Sequence, residues 1–144
     1  MIAALIVIVV AVVAFSMNSG KNGEIVSFSY YEGLSGFDRY TLAVENGVIT
    51  ASYSYQHESK EGSITEVWSQ EKLKDFRKAL LNKLKVTKWK SKYEPTWQSA
   101  SAQVSWDVFI KFEDGKEFRS VGRQTRPPRF NQFWSLLQEY FPSP

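Results

Sequence analysis

The sequence predicts an α+β domain: an antiparallel sheet with two amphipathic helices packed on one face, preceded by an N-terminal apolar helix. Three observations carry this. Period-two alternation of apolar and polar residues recurs along the chain, turn signals join the alternating runs into hairpins, and two later segments repeat apolar residues at helical spacing. The expected order is β-β-β-(β)-α-β-β-α, within one domain over 24–144.

The chain opens on Ile2–Phe15, IAALIVIVVAVVAF, with no charged or polar side chain. A run of about 14 is shorter than the roughly 20 residues of a comfortable transmembrane helix and suits the apolar region of a signal peptide. Ser16 and Met17 bring it to the low end of the spanning range. Ala14-Phe15-Ser16 has the small-x-small pattern that favours cleavage, while no Lys or Arg precedes the run as a signal peptide usually requires. A buried strand is the structural alternative, although strands usually number four to eight residues. Residues 1–17 are therefore expected to be a signal peptide or membrane anchor, and 18–23, NSGKNG, a flexible linker.

From Glu24 onward Val26, Phe28 and Tyr30 alternate with Ser27, Ser29 and Tyr31, and Gly33–Asp38 is expected as a loop. Tyr40–Glu45 and Val48–Tyr55 flank Asn46-Gly47, a strong hairpin signal. A two-residue turn places Val44, Leu42 and Tyr40 opposite Ile49, Ala51 and Tyr53 on one face. Slippage by one residue would mix the faces. Gln56–Gly62 is polar and expected to loop, with a short strand to follow over Ile64–Trp68. Ser69 suits a helix N-cap, after which Leu73, Phe76, Leu80, Leu81 and Leu84 form one apolar stripe. Val104, Trp106, Val108, Ile110 and Phe112 alternate up to Glu113-Asp114-Gly115. A three-residue loop with Gly115 left-handed pairs Ile110 with Phe118 and Lys111 with Glu117, like with like. Pro127-Pro128 is expected to open a final helix with Phe130, Phe133, Trp134, Leu137, Tyr140 and Phe141 on one side, ended by Pro142.

Without its leader the chain keeps about 125 residues, enough to bury a core without disulfides or metal. Cysteine is absent, which removes lipid attachment through cysteine, thiolate metal sites and thiol nucleophiles together. The net charge of +3 is mild but uneven. Lys72, Lys74, Arg77, Lys78, Lys83, Lys85, Lys88, Lys90 and Lys92 face the single acid Asp75 in their span.

No catalytic constellation is legible. His57 is the only histidine, in a polar run, and there is no nucleophile elbow, calcium loop, Walker loop or dinucleotide fingerprint. No cofactor or metal is expected. A carboxylate pair from distant strands stays open as a hydrolase alternative, with Asp38, Asp107 and Asp114 the acids on or beside strands.

The tract Lys88-Trp89-Lys90-Ser91-Lys92-Tyr93-Glu94-Pro95-Thr96-Trp97 interleaves cations with large aromatics. Lys88, Trp89, Lys90, Lys92, Tyr93 and Trp97 could serve a single-stranded nucleic acid, with charge for phosphates and ring faces for bases. They could equally serve an anionic membrane surface. The bland reading buries the tryptophans and leaves the lysines solvated. A second group, Arg123, Arg126 and Arg129, lies between a strand and a helix N-terminus and could complete an anion pocket there, although Pro128 lacks an amide. A chain sent to a membrane rarely meets nucleic acid, so a protein partner or an anionic envelope surface is the expected partner.

The stretch Trp106–Trp134, with W-x-V-x-I-x-F-x-D-G-x-x-F-x-S-x-G, a proline and then F-x-x-F-W, resembles an uncharacterised family of small bacterial envelope domains, many carried behind a signal or lipoprotein leader. The resemblance implies an extracytoplasmic location and carries no activity. The absence of cysteine departs from the lipoprotein members. The expected protein is a membrane-tethered or secreted binding module, with the carboxylate hydrolase and the nucleic-acid binder as alternatives.

Overall fold

The computed structural model describes residues 23–95 and 104–144. The expected leader over 1–17, most of the 18–23 linker and Trp97 lie outside the described residues. Seven strands form one sheet: β1 (Ile25–Gly33), β2 (Phe37–Glu45), β3 (Val48–His57), β4 (Lys60–Trp68), β5 (Lys92–Tyr93), β6 (Ser105–Phe112) and β7 (Glu117–Arg123). The spatial order is β4-β3-β2-β1-β6-β7-β5. Among the described residues two α-helices, α1 (Gln70–Lys78) and α2 (Phe130–Tyr140), accompany the sheet. The α+β expectation holds, with one refinement. The sheet is mixed, because the two-residue β5 runs parallel to β7.

Both hairpins form in the register their side chains demand. Val44 faces Ile49, Leu42 faces Ala51 and Tyr40 faces Tyr53, while Asn46 and Gly47 both take positive φ (51° and 77°), as the tight turn requires. At the other hairpin Ile110 faces Phe118 and Lys111 faces Glu117, with Gly115 at φ 88°. Asp114 accepts from the Lys116 amide at 2.9 Å, so its carboxylate serves the turn.

Several sequence expectations are corrected. The pairing of β1 with β6 shifts between Ile25 and Ser27, and this bulge turns Ile25 into the core in place of Val26. The loop between β1 and β2 contracts to Leu34–Gly36, with Gly33 paired to Phe37. The polar Gln56–Gly62 is no loop either. β3 runs on to His57, turns through Glu58-Ser59, and β4 returns from Lys60. Hydroxyl pairs, Ser52 with Thr65 at 2.8 Å and Ser54 with Ser63 at 3.0 Å, help join these strands where apolar alternation is weak.

The helices cover one face of the sheet. Ser69 caps α1, its hydroxyl accepting from the Lys72 amide at 3.1 Å. The α-helix then widens into a π-helical turn over Ala79–Lys83, closed by the Leu84 amide on the Ala79 carbonyl. Leu73, Phe76, Leu80 and Leu81 are buried, and Leu84 is half-buried. α2 begins at Phe130, after both prolines, with Arg129 left-handed at φ 60° before it. Phe28, Phe76, Phe133 and Phe141 meet beneath the helices, with Phe28 edge-on to Phe76 at 5.3 Å.

Candidate functional site

Among the described residues the opposite face of the sheet has no helix over it. Alternation places Ser29 and Tyr31 of β1, Phe37, Arg39 and Thr41 of β2, Asp107 and Phe109 of β6, and Arg119 and Val121 of β7 on this open side, while Phe28, Tyr30, Tyr40, Leu42, Trp106 and Val108 turn inward. A shallow depression of about 650 Å³ lies there, lined by Ser29, Tyr31, Arg39, Thr41, Asp107, Phe109 and Arg119.

Its two arginines differ. Arg119 is committed, donating to both carboxylate oxygens of Asp107 at 3.2 and 2.5 Å, and that pairing raises its already high pKa. Arg39 lies 5.4 Å from the centre of the Tyr31 ring and 5.5 Å from that of Phe37, two rings stacked on each other at 5.9 Å. Among the described residues Arg39 has no carboxylate partner. Aromatic seating holds the stem of such a side chain while its planar donor fork faces solvent. The cation is positioned and unneutralised.

The tract singled out in the sequence divides. Trp89 is buried, edge-on to Phe133 at 5.2 Å and Trp106 at 6.3 Å. Tyr93 is half-buried against Trp106 at 5.8 Å, and its hydroxyl accepts from the Lys90 amide at 3.0 Å. Lys88, Lys90 and Lys92 point to solvent, Lys92 within 3.4 Å of Glu94. The tract thus offers charge without the ring faces of Trp89, which the core has taken.

The three arginines expected to share an anion go three ways. Arg123 reaches Glu94 at 3.4 Å. Arg126 pairs with Glu32 and lies 4.3 Å from the centre of the Phe130 ring. Arg129 donates to the Lys83 carbonyl at 2.7 Å. They lock the helices and the β5 edge to the sheet and do not converge.

One cluster escaped the sequence reading. At the far end of β2 and β3, Asp38 Oδ1 accepts from the Tyr53 hydroxyl at 2.6 Å and lies 2.9 Å from His57 Nε2. Tyr40, Tyr53, Tyr55 and His57 stack in sequence, at 4.8, 5.5 and 6.2 Å. Burial and the Asp38 hydrogen bond raise the pKa of Tyr53. The signal available beforehand was the register that sets Asp38 opposite Tyr55, between Tyr53 and His57 on one face. Among the described residues no group of three or more His, Asp or Glu side chains could hold a metal ion.

Fold and site define an α+β domain in which, among the described residues, one sheet face is helix-covered and the other is open and carries an aromatic-seated cation. No protein-family model matches the chain, and neither a curated protein nor a solved structure matches it.

Proposed function

We propose that this chain is a binding module of the bacterial cell envelope, tethered to the membrane or secreted, that recognises a protein or an anionic envelope component through its open sheet face. The observation that carries the reading is Arg39, seated on Tyr31 and Phe37 in a depression and without a carboxylate partner among the described residues. Arg39 is exposed, and an arginine beside aromatic rings is a frequent energetic centre of binding surfaces once a partner covers it. The leader Ile2–Phe15 supports the location, and with it the choice of an envelope partner over nucleic acid.

Photo-crosslinking tests this. A photoreactive residue at Thr41, in the depression, will give a discrete adduct in cells, and one at Gln132, on the exposed side of α2, will not. Arg39→Ala with Tyr31→Ala will weaken the Thr41 adduct about tenfold, the loss of roughly one hot-spot interaction. Undiminished adduct in that variant rejects the open face as the site.

A carboxylate hydrolase is the second reading. It rests on the Asp38–His57 pair, the described arrangement nearest to a general base. Hydrolysis of an envelope substrate that survives Asp38→Asn counts against it.

A further inference from the structure

The lysines of α1 and the segment after it are turned outward by the core. Val86 is fully buried and Trp89 nearly so, which fixes Lys85, Lys88 and Lys90 on the solvent side of the same short segment. The Lys90 carbonyl accepts from the buried Ser120 hydroxyl at 2.6 Å, tying the segment to β7. Lys74, Lys78 and Lys83 continue the exposed series upstream. None of these six has an ion-pair partner among the described residues.

The same helix holds the point where the chain enters the domain. Arg77 donates to the Gly23 carbonyl from Nε at 3.1 Å and from Nη2 at 2.7 Å, a bidentate clamp between α1 and the first described residue. Lys74 and Lys78 flank Arg77 on the helix. Seven residues, 16–22, separate Gly23 from the apolar run. Fully extended they reach roughly 25 Å. Whatever surface the apolar run enters, the Gly23 carbonyl that Arg77 clamps is kept within about that distance of it.

We infer that the basic face formed by α1 and the Lys85–Lys90 segment docks on the anionic lipid headgroups of the membrane that receives the chain's own N-terminal segment. The inference rests on the tether in the proposed function and names its second contact. An apolar segment below the usual spanning length gains from a second attachment, and lysines near an anionic leaflet supply one, each worth roughly a fivefold gain in partition. Glu71 and Asp75 of α1 and Glu113 of the adjoining turn reduce the patch without balancing its six lysines, and Asp114 faces Lys116. The open sheet face, on the other side of the sheet from the helices, is then left clear for a partner.

The test uses the full chain with vesicles of pure phosphatidylcholine or of phosphatidylcholine with phosphatidylglycerol. Flotation reports insertion, and amine acylation mapped by mass spectrometry reports lysine access. Lys74, Lys78, Lys85, Lys88 and Lys90 are expected to react about tenfold more slowly on the anionic vesicles than on the neutral ones. Molar salt will abolish the difference, since it shortens the screening length from about 10 Å to about 3 Å. Lys60 and Lys111, off this face, will react equally on both. Lys85→Glu with Lys88→Glu will still float but lose the protection at Lys74 and Lys78. Flotation with equal lysine rates overturns the docking face alone. Failure to float on either vesicle overturns the tether and the inference together.

Discussion

Trp106→Ala will lower the unfolding free energy by about 3–5 kcal/mol, a large share of the roughly 5–15 kcal/mol that holds a folded domain. Trp106 is 2% exposed and lies among Trp89, Tyr93 and Phe130, with its indole N–H donating to the Thr125 carbonyl at 2.9 Å. Its ring occupies the space left by its cross-strand partner Gly122, where a Cβ would lie 2.5 Å from three ring atoms. Gly122→Ala will therefore also destabilise, by about 1–3 kcal/mol, because a buried ring must tilt to admit the methyl. In the Trp106→Ala background the same glycine change will cost little, since the clash has gone. Urea unfolding of the four proteins checks the cycle. Additive effects would mean that the ring and the glycine are not in contact.

Raising the pH through 10 will unfold the domain steeply while several of its seven tyrosines are still protonated. Burial raises the pKa of Tyr30 far above 10, with Glu32 adding to the shift and Arg126 opposing it. Burial first, then the charges of Asp38 and Glu32, push Tyr40 up to about 12. The sign follows from linkage. The neutral phenol is the form the fold accepts, so the stabilisation is complete below the unfolded value near 10 and is lost as pH rises towards the folded values. Each such tyrosine contributes a slope of up to about 1.4 kcal/mol per pH unit in that window. Tyr30 and Tyr40 together give about twice that. Phenolate absorbance followed beside circular dichroism should show a late group of tyrosines ionising only as the fold is lost. Ionisation of all the tyrosines near pH 10 with the fold intact would contradict this account of Tyr30 and Tyr40.

The legible parts of the fold are those where side-chain pattern and turn chemistry agree. Asn46-Gly47 and Gly115 set two registers that the apolar faces confirm independently, and Ser69 with its stripe sets a helix. The β3–β4 end was not legible, because its cross-strand contacts are hydroxyl pairs and its rings stack along β3, which leaves no hydrophobic period. The bulge at β1 was hidden for a related reason: Ile25 and Val26 are equally apolar, and only the pairing with β6 decides which is buried. The basic-aromatic tract misled by composition. Its lysines are on the surface, but Trp89 belongs to the core, and sequence alone does not say which way a ring turns. Arg39 went unnoticed because its seat is made across strands, through the pairing of Arg39 with Tyr31 and of Phe37 with Gly33.

The central claim is that a short apolar leader delivers a binding domain to the cell envelope. Fractionating cells that make the full chain, or a version lacking residues 1–17, and sequencing the mature N-terminus tests it most directly. The account predicts that the full chain leaves the cytosol and the shortened chain does not. An intact Met1 in the membrane fraction would mark an anchor, and a mature chain beginning at Met17 would mark secretion. Both forms remaining in the cytosol would contradict the claim.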